Sequence, residues 1–410
     1  MEDSLQIAIV GGGAAGFFAA IACAEANPQA RITIYEAGPE PLSKVRISGG
    51  GRCNVTHHCT DPRRLIQAYP RGSRALLGPF SRFQPQDTIA WFESRGVRLK
   101  TEADGRMFPV SDRSSSIINC LLDEADRLGI QLRLREPIVG VERQATGFRL
   151  QLRQETVEVD CLLLATGSSP SGYRLATALG HELIPPVPSL FTFTVLDPAL
   201  RELAGVSCDR VQASLQVEGD RLSETGPLLV THWGLSGPVI LKLSAFGARL
   251  LHQQRYQAEL RINWLPDRSA EQVQRDLQET RATTSKRQLG NWRFNDLPQR
   301  LWLYLLQRAD IPSDRRWSEV SKKQLTALWQ AITAGTYAIA GKGVFKEEFV
   351  TAGGVPLGSL NSKRMESKHC PGLFFAGELL DVDGITGGFN FQNAWTSGWI
   401  AGQALADRGH

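Results

Sequence analysis

The chain has 410 residues, of which 42% are hydrophobic and 21% are charged, with a formal net charge of +4. This length suits about two or three domains, and the composition excludes a disordered or fibrous chain. No apolar run reaches the ~18 residues that a membrane-spanning helix needs, and the acidic N-terminus lacks the basic start of a signal peptide. We therefore expect a cytoplasmic protein with reduced cysteines and no membrane partner.

The first predicted elements form a strand, a glycine turn, a helix and a second strand. Leu5–Val10 is a short apolar run, which is typical of a buried strand. Six residues rich in glycine follow it, and an alanine-rich stretch with high helix propensity then runs to Ala26. Arg31–Tyr35 alternates as a second strand and ends on the acid Glu36.

Each residue of this unit has a physical reason to occupy its position in a dinucleotide site. Gly11 permits the tight turn, Gly13 lets a pyrophosphate approach the backbone, and Gly16 lets the helix pack close to the strand. The start of the helix supplies unpaired N–H groups to the phosphates. Glu36 is suited to accept hydrogen bonds from an adenosine ribose. The unit therefore predicts dinucleotide binding.

The remaining strands favour FAD over a nicotinamide as the resident cofactor. Val157–Ala165 reads as one strand that leads to Gly167. The strand Gly372–Ala376 comes more than 200 residues later, and a helix from Gly388 to Leu405 closes the chain. A nucleotide domain completed from the far C-terminus wraps a long cofactor, and the sequence holds no second strand–GxGxxG–helix unit for NAD(P)H.

The middle of the chain has a different pattern. Residues 189–262 contain alternating segments such as Phe191–Val195 and Ala213–Val217, which predict strands. Residues 268–332 read as helices, for example Leu297–Arg308, and the chain returns through Ala338–Lys346 toward the cofactor segment.

Three motifs resemble those of one family of flavoproteins. They are Lys44-Val-Arg-Ile-Ser-Gly-Gly-Gly-Arg-Cys-Asn-Val-Thr56, Thr231-His-Trp-Gly-Leu-Ser-Gly-Pro238 and Gly372-Leu-Phe-Phe-Ala-Gly-Glu-Leu-Leu-Asp-Val-Asp-Gly384. In this order, and along the whole chain, they are similar to the BaiN/RdsA family of NAD(P)/FAD-dependent oxidoreductases, which is also described as aminoacetone-oxidase-like.

The resemblance implies an α/β fold: a glutathione-reductase-type Rossmann FAD domain built from both chain ends, with an inserted β-rich domain that carries a helical segment. The expected parts are 1–187 (FAD-binding domain, first part), 188–266 (inserted β-rich domain), 267–332 (helical insertion), 333–352 (return of the inserted domain) and 353–410 (FAD-binding domain, C-terminal part).

The expected cofactor-binding residues come from the glycine turn, the motif at 44–56 and the C-terminal motif. The resemblance places the second of these at the FAD, and the start of the C-terminal helix at the flavin edge, where its positive end would stabilise negative charge gained on reduction. The residues are Gly11, Gly13, Ala14, Ala15, Gly16, Glu36, Lys44, Ser48, Gly49, Gly50, Arg52, Cys53, Asn54, Ile138, Gly167, Gly377, Glu378, Gly388, Phe389 and Asn390.

Two other interpretations of the cysteines and histidines at 53–59 are weaker. Five residues separate Cys53 from Cys59, a spacing that puts the two thiols on different helical faces and disfavours a redox disulfide. Adjacent histidines rarely converge on one ion, and no second ligand pair follows, so we expect no metal. The catalytic residues are unknown from the sequence; Cys53 and His232 are the candidates for a proton donor.

The expected chemistry is hydride transfer from flavin N5 to a C=C bond conjugated to a carbonyl, with NADPH or NADH as a transient donor. The resemblance links such chemistry to two substrates, a uridine of ribosomal RNA and steroid-like enones. We expect ribosomal RNA as the substrate. The alternatives are a small enone-type or amine metabolite handled by a reductase or oxidase, and a non-catalytic flavin-binding sensor. The oligomeric state stays open.

The distribution of charge supports RNA. Residues 61–82 carry five arginines against one aspartate, and residues 267–323 carry twelve basic against eight acidic residues. Aromatic residues accompany both segments and would stack on bases if they were exposed. If they are instead core residues, the two segments are ordinary solvated faces. The aromatic residues are Tyr69, Phe80, Phe83, Trp292, Phe294, Trp302, Tyr304 and Trp317.

Overall fold

The structure, a computed structural model of the chain, describes residues 4–217, 219–343 and 350–409. The chain divides into two compact units. Unit 1 consists of residues 1–187 and 350–410, and unit 2 consists of residues 188–349. Unit 1 is therefore assembled from both ends of the chain.

The first part of unit 1 begins with the predicted strand, helix and strand. Its elements, in chain order, are β1 Gln6–Val10, α1 Ala14–Ala26, β2 Arg31–Glu36, α2 Ser43–Gly51, β3 Thr56–His57, α3 Pro62–Leu65, α4 Ser73–Phe80, α5 Pro85–Glu93, β4 Leu99–Thr101, β5 Arg106–Pro109, α6 Ser115–Arg127, β6 Gln131–Leu134, β7 Gly140–Arg143, β8 Phe148–Gln151, β9 Thr156–Val159, β10 Cys161–Leu164, α7 Pro170–Ala178 and β11 Ile184–Ser189.

Unit 2 combines strands with a run of helices. Its elements are β12 Phe193–Val195, α8 Pro198–Arg201, β13 Ser207–Val217, β14 Asp220–Thr231, β15 Gly234–Ser236, α9 Pro238–Phe246, α10 Ala248–Gln253, β16 Ala258–Asn263, α11 Ala270–Thr283, α12 Gln299–Arg308, α13 Lys322–Ala334 and β17 Gly335–Lys342. The last three residues of the predicted return segment Ala338–Lys346 lie outside the described residues.

The C-terminal part of unit 1 supplies four short strands and a helix of 18 residues. Its elements are β18 Val350–Gly354, β19 Leu360–Asn361, β20 Glu366–Ser367, β21 Leu373–Phe375 and α14 Phe389–Ala406. None of the helices in the described part of the chain is long and apolar enough to cross a membrane.

The main sheet of unit 1 has the strand order β19-β20-β21-β10-β1-β2-β6. The five strands from β21 to β6 run parallel. In the centre, Ile9 of β1 lies opposite Leu163 of β10 on one side and Ile34 of β2 on the other. All three side chains are buried, as expected for parallel strands covered on both faces. The carboxyl ends of these strands meet at one edge of the sheet, and that edge is where nucleotides bind in such folds.

Two helices from opposite ends of the chain pack on each other against this sheet. Helix α1 is buried all round from Ala15 to Ala24. A Cβ atom added at Gly398 of α14 would lie 2.6 Å from the carbonyl oxygen of Ala15, and one at Gly402 would lie 2.4 Å from that of Ala19. The two backbones approach so closely that only glycine fits at both positions of α14.

The single strand predicted over Val157–Ala165 is wrong in one respect, because Asp160 divides it in two. Strand β9, before Asp160, pairs with β8 in a separate antiparallel sheet of β7, β8 and β9. Strand β10, after it, joins the main parallel sheet. Asp160 exchanges two hydrogen bonds with Gln6, since its N–H donates to the Gln6 carbonyl at 2.9 Å and its carboxylate accepts from the Gln6 N–H at 2.7 Å.

Unit 2 is built on a closed barrel with the strand order β12-β15-β14-β13-β16-β17. The inward residues of β13, such as Ala213 and Leu215, are fully buried. Helices α11, α12 and α13 lie in the chain between β16 and β17. They contribute their own buried side chains, among them Trp302 of α12, to the core of the unit.

Candidate cofactor site at the carboxyl ends of the parallel strands

Three glycines at and just after the turn between β1 and α1 have three different surroundings. Gly11 has a φ of +113°, and a Cβ there would lie 2.4 Å from the carbonyl oxygen of Ala165. A Cβ at Gly16 would lie 2.0 Å from the carbonyl oxygen of Gly11. A Cβ at Gly13 would meet no protein atom within 4 Å. The fold therefore requires glycine at 11 and 16, whereas at Gly13 it leaves open space beside the start of α1.

The start of α1 is suited to an anion. Gly13 is the N-cap residue, and no side chain caps the helix. No acidic residue lies in the first turn. The first N–H groups of a helix have no partner within the helix and carry its positive end. An open space in front of such a helix end can hold a phosphate group.

Glu36 lies at the end of β2, beside the same turn. Its carboxylate accepts hydrogen bonds from the N–H groups of Gly12 at 2.8 Å and Gly38 at 2.6 Å. Two backbone donors thus fix the carboxylate, which is half-buried, next to the glycine turn. A carboxylate oxygen has two lone pairs, so capacity remains for ribose hydroxyl groups.

Three further predicted residues come together at the ends of β10 and β21. Lys44 of α2 forms an ion pair with Glu378, which follows β21. The ammonium group of Lys44 also lies 3.3 Å from Ser168 Oγ, just beyond Gly167. Glu378 in turn accepts a hydrogen bond from the N–H of Thr351 at 3.1 Å. A Cβ at Gly167 would lie 3.8 Å from the ammonium nitrogen of Lys44.

Two polar residues in this region were missed by the sequence reasoning. The hydroxyl groups of Thr166 and Tyr173 are buried and have no hydrogen-bond partner. Tyr173 is only 8% exposed, and burial, followed by the charge of Glu378, raises its pKa to about 12. An unsatisfied buried hydroxyl group costs stability, and a polar ligand would relieve this cost. The only signal in the sequence is their position just after β10.

The glycine run of the 44–56 motif has an unusual backbone. Helix α2 is broken at Ser48, which has a ψ of 148°, and Gly49 and Gly50 adopt left-handed φ values of +57° and +68°. Gly51 follows at +84°. A Cβ at Gly50 or Gly51 would meet nothing within 4 Å. These glycines therefore serve the backbone conformation and leave an open surface.

Arg52 is held by acidic residues of its own unit. Its guanidinium lies 2.5 Å from Glu102 and 2.7 Å from Asp112. It also stacks on Phe108, 3.9 Å from the ring centroid. Arg52 is thus paired with these two carboxylates. Neither pairing was anticipated from the sequence.

The two proton-donor candidates have very different surroundings. Cys53 is fully buried, and burial raises its pKa to about 12, although a hydrogen bond with Ser48 opposes this rise. A thiol with no accessible surface and this pKa is a poor acid for a substrate carbon. His232 lies in unit 2, exposed in the turn between β14 and β15.

The start of α14 is shaped by side chains from distant segments. Gly388, its N-cap, has a φ of +87°, and a Cβ there would lie 2.5 Å from the carbonyl oxygen of Thr56. When the Asn54 amide is oriented so that its nitrogen donates to the Thr56 carbonyl oxygen at 3.1 Å, its oxygen accepts a hydrogen bond from the Gly388 N–H at 2.9 Å. Asn390 exchanges two hydrogen bonds with the backbone of Gly384, at 2.8 and 2.9 Å.

The ring of Phe389 stacks on that of His57, with centroids 4.8 Å apart. His57 Nε2 lies 3.2 Å from the carbonyl oxygen of Asp104, while its Nδ1 is buried without a partner. Burial lowers the pKa of His57, so this ring is favoured in its neutral form beside α14.

The last two predicted residues belong to the framework of unit 1. The N–H of Gly377 donates to Ser397 Oγ of α14 at 2.9 Å, and Ile138 is buried in the core. All seven cysteines are free thiols. In the part of the chain that the structure describes, no three His, Cys, Asp or Glu side chains converge as metal ligands.

The idea that aromatic residues of the two basic segments stack on bases is wrong for nearly all of them. These side chains belong to the cores of the two units, and Trp292 alone among the eight is partly exposed. The buried ones are Tyr69, Phe80, Phe83, Phe294, Trp302, Tyr304 and Trp317. Apolar contacts explain their positions, because aromatic rings bury more surface than any other side chains.

A Rossmann-type sheet completed by the C-terminal strand β21, with its glycine turn and the carboxylate of Glu36 beside that turn, defines an FAD-dependent oxidoreductase. The chain matches the profile of the family described as "HI0933-like protein Rossmann domain" over residues 5–404, and it belongs to that family. The fold class and the family expected from the sequence motifs are thereby confirmed.

Two relatives and one solved structure place this family in context. The chain is 33% identical to the ribosomal RNA dihydrouridine synthase of Escherichia coli (strain K12), over 97% of each chain. It is 30% identical to the 3-dehydro-bile acid delta(4,6)-reductase of Clostridium scindens, over 98% of this chain and 99% of the relative. The 3-ketosteroid delta1-dehydrogenase of Sterolibacterium denitrificans shares the fold, with a TM-score of 0.51 at 12% identity over 99% of this chain and 100% of that one.

The residues of unit 1 fit FAD. The space at Gly13 accepts a group that approaches the backbone closely. The unpartnered hydroxyl groups of Thr166 and Tyr173 retain the capacity to bind a polar ligand. Both features lie at the edge of the sheet where the strands β1 and β10 end, which is the usual place for a nucleotide in this fold.

Proposed function

We propose that the protein reduces uridine to dihydrouridine in ribosomal RNA, with NADPH or NADH as the electron donor. The observation that carries this proposal is the full-length similarity to the E. coli ribosomal RNA dihydrouridine synthase, 33% identical over 97% of both chains. When bound, FAD would supply the hydride for one carbon of the C=C bond of the base, and a proton from water or a side chain would add to the other carbon. The residues of the chain would bind the FAD, orient it and polarise its reactive part.

The adenosine half of the cofactor would lie along the β1–α1 turn. The N–H groups at the start of α1 would bind the phosphates through the open space at Gly13. The carboxylate of Glu36, fixed by two backbone donors, would accept from the ribose hydroxyl groups. Ala14 and Ala15 bring no bulky side chain to the helix start.

Lys44 and Glu378 would serve the middle of the cofactor. The side chain of Lys44 is 58% exposed, and that of Glu378 is 18% exposed. Because its side chain is largely exposed, Lys44 can turn from Glu378 to a phosphate. Glu378 would then accept hydrogen bonds from the ribityl hydroxyl groups, with the Tyr173 hydroxyl group nearby to share them.

The start of α14 would stabilise the negative charge that the flavin gains on reduction. The helix has 18 residues and no side-chain cap or acidic residue at its N-terminus. Its positive end favours negative charge that develops in front of it. Asn54 and Asn390 hold the surrounding backbone in place, so this environment is already organised before the reaction.

Two measurements test the proposal. The purified holoprotein, mixed anaerobically with NADPH or NADH, should lose its flavin absorbance, and ribosomal RNA from a deletion strain should regain dihydrouridine when incubated with it. The matched control is Gly13→Val, which we expect to lack FAD and to leave the RNA unchanged. If the deletion leaves the dihydrouridine content of ribosomal RNA unaltered, the RNA proposal fails.

A small conjugated enone is the second candidate substrate, and the C. scindens relative, 30% identical, favours it. The same reduced enzyme would then be reoxidised by an enone and not by RNA. Oxidation of an amine metabolite would instead reduce the flavin without NAD(P)H. A non-catalytic flavin-binding sensor would retain oxidised FAD in the presence of either nicotinamide.

A further inference from the structure

Two segments of the helical insertion in unit 2 run side by side although about 25 residues separate them along the chain. Four backbone hydrogen bonds join them: Leu289 N–H to the Arg315 carbonyl at 2.9 Å, Gly290 to Ser313 at 2.7 Å, Trp317 to Arg287 at 3.1 Å and Ser318 to Ser285 at 2.9 Å. This pairing brings two pairs of basic residues together. We call Lys286, Arg287, Arg315 and Arg316 the basic cluster.

The basic cluster rests on buried aromatic rings. Trp317, next to Arg316, is fully buried, and its ring centroid lies 5.2 Å from that of Trp292. The Trp302 indole N–H donates to the carbonyl oxygen of Leu289 at 2.8 Å, which ties α12 to the first segment. The backbone that carries the cluster is thus held by the core, so little backbone ordering is needed when a partner binds.

Among the other basic residues of the insertion, Arg268 and Arg308 form salt bridges, whereas the remaining six, like the cluster, belong to none of those between described residues. Arg268 is paired with Asp276 at 2.8 Å and with Asp296 at 3.3 Å, and Arg308 lies 3.8 Å from Asp197. The salt bridges of the described residues include no member of the basic cluster.

Three members of the cluster are exposed and Arg315 is half-buried. Asp314 and Glu319 are the acidic residues of the two segments, and a carboxylate oxygen of Glu319 lies 3.3 Å from the Arg316 N–H. The two paired segments therefore carry a net positive charge, and Lys322 and Lys323 at the start of α13 add two more exposed charges.

We propose that the basic cluster is the surface on which this protein binds the phosphates of its RNA substrate. This inference rests on the proposed function. RNA is the polyanion whose phosphates complement a group of arginines and lysines on a fixed backbone. The neighbouring Trp302 and Trp317 rings are buried and offer no face to a base, so the cluster holds RNA by its backbone and does not read bases.

The experiment measures RNA binding by the holoprotein as a function of salt. The probe is a short single-stranded RNA with one uridine, beside a second RNA in which cytidine replaces it. Changing all four residues of the cluster to Gln should weaken binding to both RNAs by the same factor. It should also flatten the log–log salt slope by about 0.7 for each phosphate that the variant no longer neutralises.

Two control variants sharpen this test. Arg210→Gln removes an exposed arginine that is paired with Asp267 at 2.8 Å, and it should leave the slope unchanged. The triple variant Arg287→Lys, Arg315→Lys and Arg316→Lys keeps the charges and should keep the slope. FAD content and flavin reduction by NADPH should equal those of the wild type in every variant, which shows that the proteins are folded.

The outcomes separate this inference from the proposed function. If the wild type makes dihydrouridine but the fourfold variant keeps the wild-type affinity and salt slope, the assignment of this surface is overturned. If the fourfold variant loses affinity for only one of the two RNAs, the cluster reads bases and the phosphate assignment is also wrong. If the wild type makes no dihydrouridine in any RNA, the proposed function itself has failed.

Discussion

Arg71 and Asp383 form a buried ion pair between segments that are 312 residues apart in the sequence. The Nε of Arg71 lies 2.5 Å from Asp383 Oδ1, and a second guanidinium nitrogen contacts the other carboxylate oxygen. The side chains are 10% and 0% exposed. Nearby, the Tyr69 hydroxyl donates to the carbonyl of Phe389 at 2.6 Å. These contacts fix the loop that precedes α14.

Replacing Asp383 by Asn should destabilise the holoprotein strongly. The neutral amide would remove the negative charge that contacts the buried guanidinium of Arg71, and breaking a buried pair in this way costs about 3–5 kcal/mol. Urea unfolding of the holoprotein measures the loss. Asp407→Asn is the matched control, because Asp407 is 68% exposed and lies 3.3 Å from Arg364; it should cost at most about 1 kcal/mol. Equal losses in the two variants would contradict the assigned role of Asp383.

Gly13→Val should fold normally and bind no FAD. Its φ of −94° suits any L-residue, and an added Cβ would meet no protein atom within 4 Å. The loss of the cofactor, measured by absorbance after purification, would therefore report on the phosphate site alone. Gly16→Ala is the contrasting variant. Its Cβ would lie 2.0 Å from a carbonyl oxygen, so it should lower the free energy of unfolding. A yellow Gly13→Val protein would refute the phosphate site.

One thiol should react with a water-soluble disulfide reagent in the native protein. Cys59 is half-buried, whereas the other six cysteines are buried, and burial raises the pKa of Cys23, Cys53 and Cys208 to about 12. The absorbance of the thiolate that the reagent releases gives the number of reactive thiols, and measuring it before and after denaturation tests this prediction. Cys59→Ser should react at no site while its flavin is reduced by NADPH at the wild-type rate. A much slower reduction would indicate a redox disulfide after all.

The stability of the protein should fall as the pH drops below about 6.5, the ordinary pKa of histidine. His181 is 2% exposed, and burial, followed by the charge of His369, lowers its pKa. Below pH 6.5 the unfolded chain binds a proton that the folded chain does not, so the free energy of unfolding decreases with falling pH.

The change His181→Gln tests this assignment. Gln retains a polar group for Ser367 Oγ, which lies 2.9 Å from His181 Nε2 in the wild type. It cannot titrate, so the decline in denaturation midpoint between about pH 7 and 5 should become shallower. His57, whose pKa is also lowered, should account for part of what remains. An unchanged pH profile would exclude His181 as a source of the loss of stability at low pH.

The elements that the sequence predicted well are those with a local cause. The first strand and the strand ending at Glu36 occur within one residue of their expected bounds, and the alanine-rich helix ends at Ala26 as expected but begins earlier, at Ala14. Apolar periodicity and glycine turns act over a few residues, which is why these elements were found. The break at Asp160 was missed, since the apolar residues on its two sides belong to different sheets. No local pattern in the sequence shows that these two strands join different sheets.

The site could be predicted only in part for a similar reason. The positions of Gly13 and Glu36 follow from one short motif, whereas Tyr173 and Arg71 matter through partners more than 200 residues away. Arg52 was expected at the cofactor from its motif, but two carboxylates from β4–α6, Glu102 and Asp112, hold it. Such pairings depend on the tertiary fold, which single-sequence patterns do not encode.

The packing of α14 on α1 has a consequence for the order in which the protein is made. Helix α1 leaves the ribosome before unit 2, whereas α14, which packs on it through Gly398 and Gly402, is synthesised after unit 2. Unit 2, residues 188–349, is continuous in the chain and can fold while synthesis proceeds, as contiguous domains generally do. The parallel sheet must wait for β21. We expect FAD to be taken up only after β21 and α14 have left the ribosome, and the exposed parts of unit 1 to depend on chaperones until then.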